Sequence, residues 1–285
     1  MNWQHYNNAL ILEEPLSSLS SLDQQQIRRE ALRLVRKHRA LFARWTSDID
    51  SPSPTEWWYC LRDQPVSLDA FSVKQRYRIR RGLDNANYIR IFPDDTHLIE
   101  QMWPVAVASF ANYPAKYRPT LRREAFLASV ASDMKELECW GCIDKSSNSL
   151  VGYAFCKVCP DRVSLSVVKV HPDALKNEIN AGLAYTLCFE YLNQRAYPCI
   201  CDGERNIRHE TNYQQFLVRV LGFRLVYCRL NVVYHPMIAL AVQLLFPFRH
   251  CIQALSVHSK LLYNIYSLLR QEEIARSFLI NNHER

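Results

Sequence analysis

The residues best suited to chemistry lie together in the run from Asp202 to Asn212, the densest polar stretch of the chain. The run follows a short apolar strand, and ligands of α/β sheets collect at the carboxyl ends of strands. Carboxylates and imidazoles can accept a proton from an attacking group, and guanidinium groups can clamp a carboxylate or phosphate. The candidate bases are Asp202, His209 and Glu210. The candidate substrate-binding residues are Arg205, Arg208, Asn212 and Tyr213. The alternative is a solvated loop in which Glu210 or Thr211 caps the next helix.

Two Cys-x-x-Cys pairs, Cys139 with Cys142 and Cys156 with Cys159, approach the ligand spacing of a zinc ribbon. Both pairs fall inside predicted strands, where residues i and i+3 face opposite sides. Four thiolates around one zinc ion therefore do not follow from the spacing. We expect buried free thiols and no metal site.

Composition and charge bound the class of protein. The 285 residues are 48% apolar, which predicts a well-packed globular chain with one large domain or two small ones. The net charge of +7 suits an anionic partner such as a phosphate-bearing cofactor, a nucleic acid or an acidic membrane surface, without choosing among them. No secretory signal is visible in residues 1–8, so the ten cysteines are expected to be reduced and the protein cytoplasmic.

The elements that must position the polar run are predicted from hydrophobic periodicity between Leu150 and Tyr227. They are strands at 139–143 and 150–158, a strand at 163–170, a helix from 177 or 178 to 193, a strand at 199–202, a helix at 210–221 ended by Gly222, and a strand at 225–234. Upstream we predict helices at 22–38, 72–83, 96–112 and 121–132, with strands at 41–48, 56–61 and 88–92. The best domain boundary lies near Pro93, because Pro and Asp cluster there.

With this order in place, residues 88–235 resemble the GNAT acyltransferase superfamily. The resemblance is carried by Leu150-Val151-Gly152-Tyr153-Ala154, Val167-Val168-Lys169-Val170-His171-Pro172 and Leu221-Gly222-Phe223-Arg224. Residues 41–92 look like the first half of its Fem-type branch, whose members stack two acyltransferase-like units. The resemblance implies an α/β mixed sheet with a smaller related half at 1–92, an acyltransferase-like domain at 93–235 and a helical tail at 236–285.

The resemblance also implies a donor, an acyl-CoA held between strands 163–170 and 199–202. Main chain at Val168, Lys169 and Val170 would bind the pantetheine arm, and the next helix would bind the pyrophosphate at its N-terminus. The residues of that second group are Lys176, Asn177, Asn180, Ala181 and Gly182. An amine of a small molecule, sugar, peptide or envelope precursor would attack the thioester. Fem-type members take an aminoacyl group from transfer RNA instead, which makes transfer RNA an alternative partner.

Two positions depart from the superfamily's pattern. Ile179 stands where the pyrophosphate loop has its first Gly, and the neighbouring Glu178 would repel a phosphate. Val218 stands where many members have a Tyr that protonates the leaving thiol. These departures favour a second hypothesis, a catalytically silent acyltransferase-like binding module. The polar run at 202–212 favours the first, an N-acyltransferase.

Two surfaces remain open to interpretation. The basic segment from Arg76 to Arg81 could contact transfer RNA, although a solvated helix face is the favoured interpretation. Residues 237–250 could rest on a membrane, which would make the cytoplasmic protein peripheral at the inner membrane face. The apolar run from Met237 to Phe246 is too short to span a bilayer, and we favour a buried C-terminal helix.

Overall fold

The structure is a computed structural model, and it describes residues 1–13, 23–113, 118–207, 212–257 and 259–283. The chain divides into two compact units, each built from separate stretches. The first unit comprises Met1–Tyr59, Glu204–Thr211 and Leu225–Arg285, and the second comprises Cys60–Gly203 and Asn212–Arg224. The sequence instead predicts three consecutive segments, at 1–92, 93–235 and 236–285. That division of the chain stays a prediction.

The first unit is a mixed sheet with helices. Its elements are β1 (Trp3–Tyr6), β2 (Ala9–Leu12), α1 (Gln24–Lys37), β3 (Phe42–Ser47) and the first half of β4 (Trp57–Arg62). The strand β1 pairs antiparallel with β2, and β2 pairs parallel with β3. The helix α1 begins after Asp23, whose side chain accepts the Gln25 N–H, and it buries Ile27, Ala31 and Val35. This four-residue spacing is the apolar stripe that the sequence predicts.

The second unit carries a sheet in the order β9-β8-β7-β6-β5. Its elements are α2 (Val73–Asn85), β5 (Ala86–Ile91), α3 (Thr96–Ala111), α4 (Arg123–Asp133), β6 (Glu138–Asp144), β7 (Leu150–Cys159), β8 (Arg162–Val170), α5 (Ile179–Cys188), β9 (Ile200–Glu204) and α6 (Asn212–Leu221). Neighbouring strands from β5 to β8 are antiparallel, and β8 and β9 are parallel. One core cluster, with Met102, Val105 and Phe155 among its members, packs α3 and α4 on this sheet.

Two glycines let α2 and α5 touch through their backbones. A Cβ at Gly82 would lie 2.6 Å from the Gly182 nitrogen, and one at Gly182 would lie 2.8 Å from the Gly82 carbonyl carbon. The Tyr88 hydroxyl donates to the Gly82 carbonyl at 2.9 Å, so the contact is also held by a hydrogen bond. Any larger residue at either glycine would push the helices apart.

The rest of the first unit follows as β10 (Arg224–Tyr234), α7 (Pro236–Leu245), α8 (Arg249–Leu255) and α9 (Lys260–His283). The strand β10 pairs antiparallel with β3, from Ser47 opposite Arg229 to Phe42 opposite Tyr234. A cluster of Trp57, Cys228, Leu230 and Ile274 forms the core under α9. The side chain of Trp57, in the predicted strand at 56–61, is 1% exposed.

The structure confirms the predicted α/β class and the type of each predicted element within the described residues, with ends that differ by a few residues. The hairpin of β1 and β2 was not predicted, because its four-residue strands are too short to show a period. The Gly222 cap of α6 is confirmed, since this residue adopts φ +67° in the left-handed region.

The favoured interpretation of the C-terminal segment was wrong. In α7 only Val242 is buried, and Met237 and Leu244 are 76% and 63% exposed. The helical stretch Pro236–Leu255 is also long and apolar enough to cross a membrane, contrary to the estimate from the shorter run at 237–246. Only 11% of its 18-residue window is buried.

Candidate active site

The candidate site begins where β8 and β9 separate. The two parallel strands pair at Val163 with Ile200 and at Ser164 with Cys201, and their register goes no further within the described residues. On its other side β8 stays paired with β7 as far as Val170, with a bulge that leaves Ser166 out of register. The central strands therefore splay from Ser164 onward, as the sequence predicts.

Asp202 follows the last residue of β9 that pairs with β8, and the pKa of its carboxyl departs from the usual value. Burial raises its pKa from 3.8 to about 7, against the opposing effect of a hydrogen bond with the Gln214 side chain. A carboxyl with this pKa is shared between its acid and base forms at neutral pH, which is the condition for efficient proton transfer. Of the three predicted bases, Asp202 is the one that lies within the described residues, and its role stays a prediction.

The side chain of Tyr213, on the first turn of α6, lies close enough to Asp202 to interact with it electrically. Burial, and next the charge of Asp202, raise the pKa of this phenol well above 10. Its hydroxyl is buried and has no hydrogen-bond partner among the described residues. Burial and the Asp202 charge likewise raise the pKa of the Cys60 thiol. The sequence predicted Tyr213 as a substrate-binding residue, and the structure brings it to Asp202.

A chain of aromatic and ionic side-chain contacts connects Tyr213 with the start of α5. The Tyr213 and Phe216 rings stack at 5.8 Å, and the Arg78 guanidinium lies 5.4 Å from the Phe216 ring centre. Arg78 binds Glu178 through two hydrogen bonds of 2.8 Å. The carboxylate predicted to repel phosphate is therefore neutralised by an arginine of α2. Sequence reasoning missed this pair, since nothing in either local pattern connects residues 100 positions apart.

The strand segment predicted to bind the pantetheine arm pairs with β7 along one edge, and its lysine contacts aromatic residues. Val168, Lys169 and Val170 pair with Ala154, Tyr153 and Gly152 of β7. The Lys169 ammonium donates to the Tyr113 hydroxyl at 2.9 Å and lies 4.1 Å from the Phe110 ring centre. Its charge is thus engaged by aromatic groups rather than by the splay.

The predicted pyrophosphate loop forms a short turn rather than an open glycine loop. Lys176 and Asn177 end a 3-10 turn over Pro172–Asn177, and Glu178 follows with φ +57°. The N–H groups of Ala181 and Gly182 donate to the Glu178 carbonyl at 2.9 and 3.1 Å. Their role as anion ligands stays a prediction, as does that of Asn180, whose Oδ1 is buried and without a hydrogen-bond partner in the described structure.

Ile179 is the first residue of α5. Its side chain is completely buried, and its carbonyl accepts a hydrogen bond from Tyr88 at 3.1 Å. The backbone of α2 at Gly82, rather than the Ile179 side chain, lies against the start of α5. Ile179 therefore replaces the superfamily's Gly at a turn against which α2 is packed.

The remaining residues of the polar run fall in three places. Arg208, His209 and Glu210 lie outside the described residues, and Asn212 is the exposed first residue of α6. Arg205, in the first unit, donates to the Glu56 carbonyl at 2.8 Å and lies 4.6 Å from the Trp58 ring centre. Its guanidinium is engaged by protein groups, and its role as a substrate clamp stays a prediction.

The first unit holds a second polar cluster, centred on Glu204, that the sequence did not reveal. Glu204 accepts hydrogen bonds from the Tyr59 hydroxyl at 2.8 Å and from Arg44 and Thr46 at 3.2 Å. Burial, and next the Glu204 charge, raise the pKa of Tyr59 well above 10. All of these groups have partners, so the cluster is consistent with a structural role.

The cysteine pairs do not assemble a metal centre in the part of the chain that the structure describes. No group of three or more His, Cys, Asp or Glu side chains there is placed to hold an ion. The register sets Cys139 opposite Phe155 and Cys156 opposite Glu138. Both are buried free thiols, and burial raises the pKa of each to about 12.

No protein-family model matches the chain, and no curated protein sequence matches it. The solved structures that are similar to it include the following three. The C-terminal domain (DUF2156) of a protein assigned as a lysylphosphatidylglycerol synthetase from Agrobacterium fabrum is 12% identical, with a TM-score of 0.53 over 85% of this chain and 82% of that one. L-PGS from Bacillus licheniformis is 10% identical, with a TM-score of 0.52 over 82% and 79%. FemX is 8% identical, with a TM-score of 0.49 over 71% and 74%.

At these identities the likeness speaks for the fold alone. The splay after Ser164 and the strand order agree with the predicted architecture. The chain has the GNAT-like acyltransferase fold.

Proposed function

We propose that the protein is an acyltransferase that moves an activated acyl or aminoacyl group onto an amine, with Asp202 as the general base. The observation that carries the proposal is the Asp202 carboxyl, with a pKa of about 7, at the point where β8 and β9 separate. Perturbed carboxyls in the cleft of an α/β sheet are candidates for proton transfer, whereas a structural carboxylate is normally paired and stays ionised.

In this mechanism the amine nitrogen attacks the carbonyl carbon of the donor, and Asp202 accepts the proton that the nitrogen loses. Collapse of the tetrahedral intermediate expels the donor's thiol or hydroxyl. The expelled oxygen or sulfur needs a proton, and we assign its donation to Tyr213, whose phenol lies close enough to Asp202 to feel its charge. Val218 then need not be a tyrosine, because Tyr213 is on the same helix.

The surroundings of α5 favour an aminoacyl ester of transfer RNA over acyl-CoA. A coenzyme A diphosphate at the start of α5 would compete with the Glu178 carboxylate for Arg78 and would meet the α2 backbone at Gly82. The name of the Agrobacterium protein, a lysylphosphatidylglycerol synthetase, also describes transfer of an aminoacyl group. The same crowding supports the alternative, a silent binding module, so the test must separate the two.

The test compares both donors in one assay. Purified protein is incubated with radiolabelled aminoacyl-transfer RNA or acetyl-CoA and a mixture of amines, and transfer is measured together with the thermal shift given by each donor. We expect transfer from aminoacyl-transfer RNA, reduced about 10²- to 10⁴-fold by Asp202→Asn. Asp84→Asn, at an exposed Asp of the same unit, should leave the rate unchanged.

Three outcomes would contradict parts of this proposal. Transfer from acetyl-CoA alone would overturn the choice of donor. Unchanged activity in Asp202→Asn would remove Asp202 as base. A thermal shift with a donor but no transfer to any amine would identify a silent binding module.

A further inference from the structure

The C-terminal segment of the first unit exposes a continuous apolar face. Met237, Leu240, Leu244 and Phe248 are 76%, 59%, 63% and 60% exposed. The spacing of three and four residues places Met237, Leu240 and Leu244 on one side of α7, and Phe248 lies in the 3-10 turn that follows. Leu255 at the end of α8, Val257 and Leu261 are also more than half exposed. Contiguous apolar surface of this kind marks an interaction site rather than ordinary surface.

The helix α7 is too exposed to be a core helix of the unit. Only Val242 of α7 is buried, and a cavity of about 340 Å³ lies beside it, bordered by Tyr234, Phe246 and Arg276. A helix retained for core packing would bury its large side chains at close to crystal density. The long apolar residues of α7 therefore point at a partner outside the unit.

The charges of this segment favour an anionic partner. From His235 to Gln271 the chain has Arg249, Lys260 and Arg270 and no Asp or Glu, and Arg249 and Arg270 form ion pairs with Glu273 of α9. Lys260 is exposed, and so is His250. The net charge of the chain is +7. Apolar side chains beside basic ones, with carboxylates absent from the segment's sequence, are typical of helices that lie in the headgroup region of anionic bilayers.

The contacts of Arg249 indicate a segment that lies on the bilayer rather than across it. Its Nε donates to Glu273 of α9 at 2.8 Å, and its guanidinium lies 4.6 Å from the Phe246 ring centre. A 3-10 turn at Phe246–Phe248, with Pro247 inside it, also interrupts the helical stretch. Insertion across a bilayer would carry this arginine into hydrocarbon and separate it from Glu273, at a cost that surface binding avoids.

We propose that the face formed by Met237, Leu240, Leu244 and Phe248 docks the protein onto an anionic lipid bilayer, with its side chains in the headgroup and upper acyl region. This inference does not depend on the proposed transferase activity, because binding to lipid needs none of the Asp202 site. It extends the prediction for residues 237–250 by naming the face, its orientation and its lipid class.

The test measures co-sedimentation of the full chain with vesicles of phosphatidylcholine alone or mixed with phosphatidylglycerol. The variant replaces Met237, Leu240, Leu244 and Phe248 by Gln, which leaves the charge unchanged. The matched control is Val73→Gln with Tyr77→Gln, because these residues of α2 are also 76% and 60% exposed. Circular dichroism checks that both variants fold.

We expect binding to the phosphatidylglycerol vesicles, weakened by added salt and reduced by at least about tenfold in the fourfold variant, with the control unchanged. Equal binding to phosphatidylcholine alone would overturn the anionic preference. Resistance of bound protein to alkaline extraction would overturn surface docking in favour of a spanning segment. No vesicle binding, with a dimer that the fourfold variant dissociates, would assign the face to a second copy of the chain.

Discussion

Replacing Asp202 by Asn should stabilise the protein at pH 8, which is the reverse of what loss of a structural carboxylate would do. Burial raises the pKa of this group from 3.8 to about 7 in the folded chain. An acid whose folded pKa is raised binds its proton more tightly when folded. Its presence therefore costs stability progressively from about pH 4 to pH 7, and the full cost remains at higher pH.

The size of the effect follows from the same two values. A difference of about three pKa units corresponds to about 4 kcal/mol, since each unit is worth about 1.4 kcal/mol. Asn carries no charge at any of these pH values and can keep a hydrogen bond with Gln214. We therefore expect up to about 4 kcal/mol of added stability at pH 8, falling towards zero near pH 4, with water penetration lowering the upper figure.

The assay is urea unfolding of wild type and Asp202→Asn at pH 4, 6 and 8, followed by circular dichroism and tryptophan fluorescence. Asp84→Asn serves as the control, and its stability should stay within about 0.5 kcal/mol of wild type because the residue is exposed. A variant less stable than wild type at pH 8 would refute the reasoning. So would a gain in stability that is the same at pH 4 and pH 8.

Three further predictions concern the second and first units. Gly182→Ala should lower the free energy of unfolding by about 1–3 kcal/mol in urea, because the new Cβ would meet the Gly82 backbone. A gain in stability, as expected at an open helix site, would contradict the close contact. Glu138→Gln should cost about 1–3 kcal/mol at pH 7, because Arg195, Tyr191 and Arg90 hold its carboxylate and keep its pKa below 4.5. The cost, measured by the same unfolding, should shrink as the pH falls below 4.5 through this lowered pKa. A loss of stability that stays the same over this fall in pH would exclude the ionic contribution. In Tyr59→Phe, trypsin should cleave the chain outside the first unit no faster than in wild type. In Glu204→Gln, trypsin should cleave the chain within the first unit faster than in wild type.

The fold was predictable because its signals are local. Alternating strands, helical stripes such as Ile27, Ala31 and Val35, and the glycine that ends α6 each depend on residues a few positions apart. Their order was enough to suggest an acyltransferase-like sheet, and the splay after Ser164 follows from the same order. The short strands β1 and β2 escaped because four residues do not establish a period.

The site was predictable only in part, because its environment is built from distant residues. The position of Asp202 after a strand could be read from the sequence, but its raised pKa depends on burial that only the folded chain supplies. The same applies to Arg78, which neutralises Glu178 from 100 positions away. The exposure of α7 was misjudged for a related reason: an apolar helix has one sequence signature whether it packs into a core or onto a bilayer.

Two carboxylates of the second unit show how burial and pairing separate function from support. At Glu138 burial alone would raise the pKa, but hydrogen bonds from Arg195 and Tyr191 and the charge of Arg90 hold it below 4.5, so this group stabilises the fold above that pH. Asp202 is half-buried, and the hydrogen bond from Gln214 does not offset the loss of solvation, so its charge costs stability at neutral pH. Under the proposed reaction this cost has a use, because a carboxyl with a pKa of about 7 where β8 and β9 separate suits the removal of a proton from an attacking amine.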